Sequence, residues 1–502
     1  MKTIQTIKTL IGILPLVLLT FQAKLHSQNL NLSLQKSIDI ASDSSLQAYI
    51  NKNRYMSSYW EYKSYKAARL PSVVLNMTPL RYNRDFTQRY DSELNVDVYK
   101  QQQSLYSYGN VSVIQNLDLT GGTFFMNSSL SRYQNYGEYS YTQFNTVPVQ
   151  VGYSQSLFGF NRFKWQKKIE PLKFDKAQKQ FLYSREQISE TVISHFFDLA
   201  FTKLEYEMAR ETVGSSDTLY RIGQKRQEIA SISQSDLLTL KLDAVNASNS
   251  LKNAETAHQR SEFSFLKYLS LPNETSLHLE IPDAPVAIII SVDEALKYAR
   301  ENNPRYLEYR QRLLDSQREL EQTKKTSNFN ADLSLSIGYN QAANKLFNAY
   351  KAPLEQDIIS FSLSIPLLDW GVRKGKVNMA INNLNVTKLS IKQEEQELEQ
   401  EVIVTVREFN IQQSLLSSAK EAVKLATLAY QTTKERFIIG KADLNSLTLS
   451  LNRQNTAQRN YISSLRSYWL SYYKLRRLTL YDFFKKEELS VDFKTIERQA
   501  GS

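Results

Sequence analysis

Short stretches with a two-residue period alternate along this chain with much longer stretches of heptad period. In ADLSLSIGYN, Leu333, Leu335, Ile337 and Tyr339 alternate with polar or small residues. In ISFSLSIPLL, Phe361, Leu363 and Ile365 alternate with Ser360, Ser362 and Ser364. VPVQVGYSQSL does the same with Val147, Val149, Val151 and Tyr153, and NVSVIQNLDL with Val111, Val113, Leu117 and Leu119. The pattern predicts strands of about ten residues, apolar on one face and polar on the other, as in transmembrane β-strands with lipid outside and water inside. A half-buried sheet in a soluble domain alternates in the same way. The features described next favour the membrane.

The heptad stretches are long. Leu398, Val402, Thr405, Phe409, Gln412, Leu416, Ala419, Val423, Ala426, Tyr430, Thr433 and Phe437 are spaced alternately by four and three. A second set runs Ile188, Val192, His195, Leu199, Thr202, Tyr206, Ala209, Val213, Ser216, Tyr220, Gly223 and Gln227. A 3.5-residue period held this long predicts coiled-coil packing, since ordinary amphipathic helices rarely run past about 25 residues. The period stops at Gly440 in KERFIIGKADLNSLTLSLNRQ and then resumes. Glycine suits a helix end, and Asp443 or Asn445 can cap the next helix, so the break reads as the tip of an antiparallel hairpin. The other tip falls near RQEIASISQSDLL, with Ala230 in place of the glycine and Ser231, Ser233 and Ser235 supplying cap chemistry. Ser291 and Glu294 have the spacing of a capping box at the start of a shorter helix.

These elements occur twice. SLFGFNRFK from Ser156 matches PLLDWGVRK from Pro366, and the same shift carries Arg226 onto Arg436. LSLQKSIDIA from Leu32 matches ISVDEALKYA from Ile290 at a larger shift, so the first copy holds an insertion. The expected organisation is a first repeat over 28–280, a second over 281–482 and a loosely held polar tail over 483–502. Three strand ends resemble one another: IQNLDLTGG, SQSLFGFNR and SIPLLDWGV. The insertion is therefore either an extra hairpin over about 100–145, turning at Gly121-Gly122 and giving four strands in copy one and two in copy two, or a surface flap that leaves four strands in all. Neither count closes a bacterial single-chain barrel, which needs at least about eight strands. An open edge in lipid costs several kcal/mol per unpaired group, so several chains must pool their strands.

Composition narrows the class. Lys2 and Lys8 precede an apolar run from Leu10 to Phe21, with Ser27 as a plausible cleavage point. Residues 1–27 thus read as a secretory signal peptide. There is no cysteine, so neither disulfides nor a cysteine-linked lipid holds the exported chain. The formal charge of +11 is dispersed among acids along helices, which argues against nucleic acid. The runs KQEEQELEQE and KLRR read as solvated helix faces or helix-end charges. His195, His258 and His278 have no metal-binding spacing, LTGG lacks the basic residue of a phosphate loop, and no nucleophile elbow occurs. The expectation is no catalytic site, no metal, no cofactor and no enzyme activity.

The entry helix ISVDEALKYARENNP, the corner IPLLDWGVRKGKV and the tip RFIIGKADLNSL, in duplicate and behind a signal peptide, resemble the TolC family of outer-membrane efflux and secretion channels. The resemblance spans about Leu32 to Asp482. It implies a mostly α fold with β structure: long antiparallel coiled-coil hairpins forming an α-barrel, joined to a transmembrane β-barrel, with two internal repeats in a homotrimer. It also implies an outer-membrane location with a large periplasmic portion, a periplasmic adaptor protein and an inner-membrane RND or ABC pump. The family's Arg-x-x-x-Gly tip is followed six residues later by Asp. Arg436 and Gly440 match but Ser446 replaces the acid, whereas Arg226 and Asp236 match but Ala230 replaces the glycine. On this resemblance Arg226, Ala230, Ser233, Asp236, Leu237, Arg436, Gly440, Asp443, Ser446 and Leu447 form the adaptor contact and gate. The expected function is a passive export duct for small molecules, driven by the partner pump and gated at the tips. A type I protein secretion channel shares these features, and a pore-less adaptor or scaffold is a further alternative.

Overall fold

Helix length dominates the architecture seen in a computed structural model, which describes residues 29–136, 140–229, 232–282, 287–439 and 441–499. The expected signal peptide lies outside the described residues. In chain order the elements are β1 (Asn29–Ser33), α1 (Leu34–Ser44), α2 (Leu46–Ala67), β2 (Ser72–Asp91), β3 (Val96–Asn116), β4 (Thr123–Tyr136), β5 (Tyr141–Ser156), α3 (Arg162–Glu228), α4 (Gln234–Leu269) and β6 (Ser276–Glu280). Then come α5 (Val292–Asn302), α6 (Pro304–Thr326), β7 (Asn330–Ala343), β8 (Leu354–Ser364), α7 (Val372–Ile438), α8 (Leu444–Thr479) and α9 (Phe493–Gln499). α3 and α7 are each 67 residues long, and α4 and α8 are each 36. At about 1.5 Å per residue, each longer helix measures about 100 Å.

The chain divides into two compact units, residues 1–40 with 198–283 and residues 41–197 with 284–502. In the first, β1 and β6 pair in parallel, from Asn29 opposite Ser276 to Ser33 opposite Glu280. Tyr206 of α3 stacks on His258 of α4, with ring centroids 5.9 Å apart. In the second unit the seam of α7 is buried at Leu398, Val402, Thr405, Phe409, Leu416, Tyr430 and Phe437, and half-buried at the intervening seam positions. Phe409 lies against Tyr468 and Tyr472 of α8, with centroids 5.2 and 5.6 Å away.

The second unit also holds one antiparallel sheet of six strands in the order β2-β3-β4-β5-β7-β8. It is open, with β2 at one edge and β8 at the other. Its strands run from 11 to 21 residues, several longer than the expected ten or so. β2 and β3 continue past Tyr136, the last residue of β4, as a two-stranded ribbon. The register between β2 and β3 shifts between Thr78 and Arg81, where Pro79 has no N–H to donate to the ladder. Gly121, at φ +78, lies in the turn between β3 and β4, a conformation costly for other residues.

Charges of the runs KQEEQELEQE and KLRR, expected as solvated faces or helix-end charges, make ion pairs with other elements, and Arg476 and Arg477 also stand in the last turn of α8. Arg300 of α5 and Arg305 and Arg312 of α6 pair with Glu399, Glu401 and Glu394 of α7 at 2.7, 3.3 and 2.5 Å. Arg476, within the KLRR run, reaches Glu186 of α3 at 3.2 Å and Asp482 at 3.3 Å, and its side chain is only 15% exposed. Arg477 reaches Glu190 at 2.5 Å and also bonds Tyr183. Except for Asp482, six residues from Arg476, these partners lie far away in sequence, so local pattern could not show them. Ser291 stands at the N-cap of α5, but its side chain makes no cap hydrogen bond and the expected capping box is not formed. Asp293 and Glu294 in the first turn meet the helix dipole instead. The C-terminal tail is held, not loose. Phe493 packs on Tyr55 and Phe181, with centroids 4.9 and 5.8 Å apart, and the Tyr55 hydroxyl donates to Glu497 at 2.7 Å.

Candidate functional site

The residues expected at the tips fall at the α3–α4 and α7–α8 turns, and each turn is capped differently. Ser233 is the N-cap of α4, and its Oγ accepts the Asp236 N–H at 3.1 Å. The Asp236 carboxylate accepts the Ser233 N–H at 3.2 Å and its hydroxyl at 2.7 Å, completing a reciprocal capping box. Leu237, half-buried, donates its N–H to the Ser233 carbonyl at 3.2 Å. Gln227 of α3 donates across the turn to Gln234 of α4 at 2.9 Å, a link the sequence reading missed. One turn earlier Gly223 faces Leu240 of α4, where an added Cβ would stand 2.6 Å from Leu240 Cδ1 and the leucine would have to shift. Arg226 lies in the last turn of α3, where its charge complements the negative helix end.

The second turn uses a single carboxylate. Asp443 is the N-cap of α8, and its Oδ1 accepts the Ser446 N–H at 2.6 Å. That backbone hydrogen bond holds the Asp443 carboxyl below its ordinary range. Leu447 is buried and donates its N–H to the Asp443 carbonyl at 3.3 Å, while Ser446 is exposed. Arg436 is exposed in the last turn of α7, and its carbonyl accepts the Lys441 N–H at 2.8 Å. Gly440 and Ala230 lie outside the described residues. The structure thus joins Ser233 with Asp236 and Asp443 with Ser446, and both carboxylates serve to cap their own helices. Ile229 and Leu238 at the first turn, and Ile438 and Ile439 at the second, are exposed apolar side chains.

The sheet is the second candidate surface. One face carries Val73, Leu75, Met77, Val111, Val113, Phe124, Met126, Val151, Tyr153, Leu333, Leu335, Ile337, Ile359, Phe361 and Leu363. The reverse face is mostly polar, with Asn76, Asn110, Ser112, Thr123, Asn127, Gln150, Ser154, Ser334, Ser336, Ser360 and Ser362 interspersed with Val74, Ile114, Phe125 and Ile358, and a Gln150–Ser336 hydrogen bond of 3.1 Å. The apolar face is open to its surroundings: Leu75 is 61% exposed, Ile337 66% and Ile359 78%. An exposed apolar surface of this extent in a folded chain marks contact with a partner or with lipid. At the helix side, Leu119 is exposed at the β3–β4 turn, and Phe158 and Trp370 at the corners into α3 and α7. Asp369 organises the last corner, accepting N–H groups from Gly371 at 3.2 Å and Arg373 at 2.9 Å. The Arg373 guanidinium and these backbone groups hold its carboxyl at about 2.

Among the described residues, no helix is long and apolar enough to cross a membrane, and no cluster of three or more His, Asp or Glu is placed to hold a metal ion.

Residues 295–479 match the family model described as outer membrane efflux protein. No curated protein matches the sequence. Among solved structures, the chain is similar to the Campylobacter jejuni CmeC outer membrane channel, with 13% identity, a TM-score of 0.66, and coverage of 93% of this chain and 88% of that one. It is similar to the Vibrio cholerae outer membrane protein VceC at 13% identity, TM-score 0.62, covering 91% and 97% of the two chains. It is also similar to the open state of the Neisseria gonorrhoeae MtrE outer membrane channel at 12% identity, TM-score 0.59, covering 91% of each. At these identities the likeness shows the fold. The resemblance to the outer membrane efflux family is borne out, by sequence over 295–479 and by fold over nearly the whole chain.

Proposed function

We propose that this chain is the outer-membrane duct of a tripartite efflux pump, a passive conduit for small molecules from a periplasmic adaptor and an RND or ABC inner-membrane pump to the exterior. The observation that carries the reading is the sheet, with an exposed apolar face, a mostly polar reverse face and two unpaired edges. In lipid such edges are tolerable only when paired, so identical copies pool their strands, three to a barrel in line with the family. α7 supports the same assembly, because Val404, Ile411 and Leu425 form a second apolar stripe at heptad spacing, exposed in the single chain. The equal lengths of α3 and α7, and of α4 and α8, support two repeats, 28–280 and 281–482, behind a signal peptide at 1–27.

In this reading Arg226, Ser233, Asp236 and Leu237, with Arg436, Asp443, Ser446 and Leu447, form the adaptor contact and the closed entrance, along with Ala230 and Gly440. The apolar side chains exposed at both turns fit an adaptor contact. In planar bilayers the purified protein is expected to show low conductance, and the pair Arg436→Ala with Asp443→Ala to raise it. Unchanged leak in that variant would remove the gate from these residues.

A further inference from the structure

All six strands, not four, contribute to the same apolar face. The hairpin of β3 and β4 lies within the ladder, paired to β2 on one side and β5 on the other. Its apolar positions Val111, Val113, Phe124 and Met126 share a face with Ile337 and Ile359, and its polar positions Ser112 and Asn127 share the reverse face with Ser336 and Ser360. A flap in water gains nothing from an exposed apolar face in register with its neighbours. The turn joining the two strands also exposes Leu119 at the helix side, as Phe158 and Trp370 are exposed at the corners that lead into α3 and α7.

Register gives the tilt. The row of direct partners Ser72–Ile114–Phe125–Gly152–Ser336–Ile358 starts at the first residue of β2 and ends at Ile358, well short of Ser364, the last residue of β8. That drift, at about 3.4 Å per residue and about 4.8 Å per strand, is a tilt of about 40° to the line of helix-side ends. The value falls inside the range of closed barrels, about 35–45°.

We infer that the barrel wall has eighteen strands, six from each of three copies, and that the exit passes bulky solutes, leaving size selection to the helix tips. The inference rests on the oligomeric channel reading above. At this tilt, eighteen strands give a girth of about 110 Å and twelve about 75 Å, so the backbone diameter is about 1.5 times larger. Four helices per chain adjoin the strands: α2, α3, α6 and α7. Twelve of them spaced about 8–10 Å apart give about 100–120 Å. The wider wall therefore meets the helical ring without narrowing.

Because the chain has no cysteine, single cysteines test this in the full-length protein in its membrane, using a charged, membrane-impermeant maleimide from outside. Asn127→Cys is expected to be labelled and Met126→Cys not; Ser334→Cys and Ile337→Cys on β7 should behave in the same way. Labelling of both β4 positions with alternation kept on β7 would show a flap in water and overturn the eighteen-strand wall while leaving the channel. Loss of alternation on β7 as well would overturn the channel reading itself. A map of the extracted particle then counts the strands: eighteen are expected, and twelve would contradict the inference.

Discussion

The sheet and the helical belt around Arg476 are completed to different degrees within one chain. In the belt, Glu186 and Glu190 from a distant segment and the nearby Asp482 meet Arg476 and Arg477 inside the fold, and Tyr472 donates to Asp482 at 2.6 Å. In the sheet, β2 and β8 end the ladder unpaired and large apolar side chains stay exposed. The contrast teaches where a lone chain is sufficient. The belt pairs its charges internally, whereas the sheet presents edges and surface that further strands and lipid would cover.

The sharpest way to break this contrast is to open the belt. Arg476→Ala leaves Glu186 and Asp482 buried without their cation, and loss of a buried partner costs about 3–5 kcal/mol. The expected outcome is a large fall in the melting temperature of the helical signal by circular dichroism, whether or not the protein is assembled. On the sheet, Phe361→Arg puts a charge on the apolar face and is expected to cost up to about 2–4 kcal/mol per chain in lipid. Ser360→Arg, on the reverse face, should cost little. Heating the assembled protein and following dissociation by native electrophoresis separates the two, and equal effects would remove the assignment of faces.

A pH scan probes the belt more gently. Burial pushes the Glu186 carboxyl up to about 7, with Arg476 and Arg185 pulling it back and Asp482 and Glu190 adding to the rise. A raised carboxylate holds its proton in the folded state after the unfolded chain has lost it. Stability should therefore fall as pH rises from about 4.5 to about 7 and level off above. Glu186→Gln should flatten that slope in melts at matched ionic strength. The smallest effect is at the tip. Asp443→Ala removes the α8 cap, worth about 0.5–2 kcal/mol, whereas Asp443→Asn keeps a cap of similar quality. If charge holds the entrance closed, both raise conductance; if capping alone matters, only the alanine variant does.

Legibility followed the reach of each signal. The heptad seam from Leu398 to Phe437 and the alternation of Leu333, Leu335 and Ile337 are local, and both periods are visible in the sequence. Asp443 could be named as a cap because a helix start needs only its own neighbours. β2 enters the sequence reading only as a count, the fourth strand of copy one, because Pro79 and the polar run beyond it blur the alternation. Arg476 and Arg477 do stand in the last turn of α8, as helix-end charges, but their burial against Glu186 and Glu190 is not legible because those partners are distant in sequence. The docked tail was missed for the same reason, since Phe493 finds its partners on α2 and α3. Ser291 had the right spacing for a capping box, yet its side chain does not make the bond.

The central claim is that the sheet is completed by identical neighbours. Counting the copies in the particle extracted from membranes, by sedimentation with the detergent contribution removed, tests it most directly. Three chains in a stable closed ring is the predicted result. A monodisperse single chain that stays soluble and folded without detergent, its β2 and β8 edges still unpaired, would contradict it.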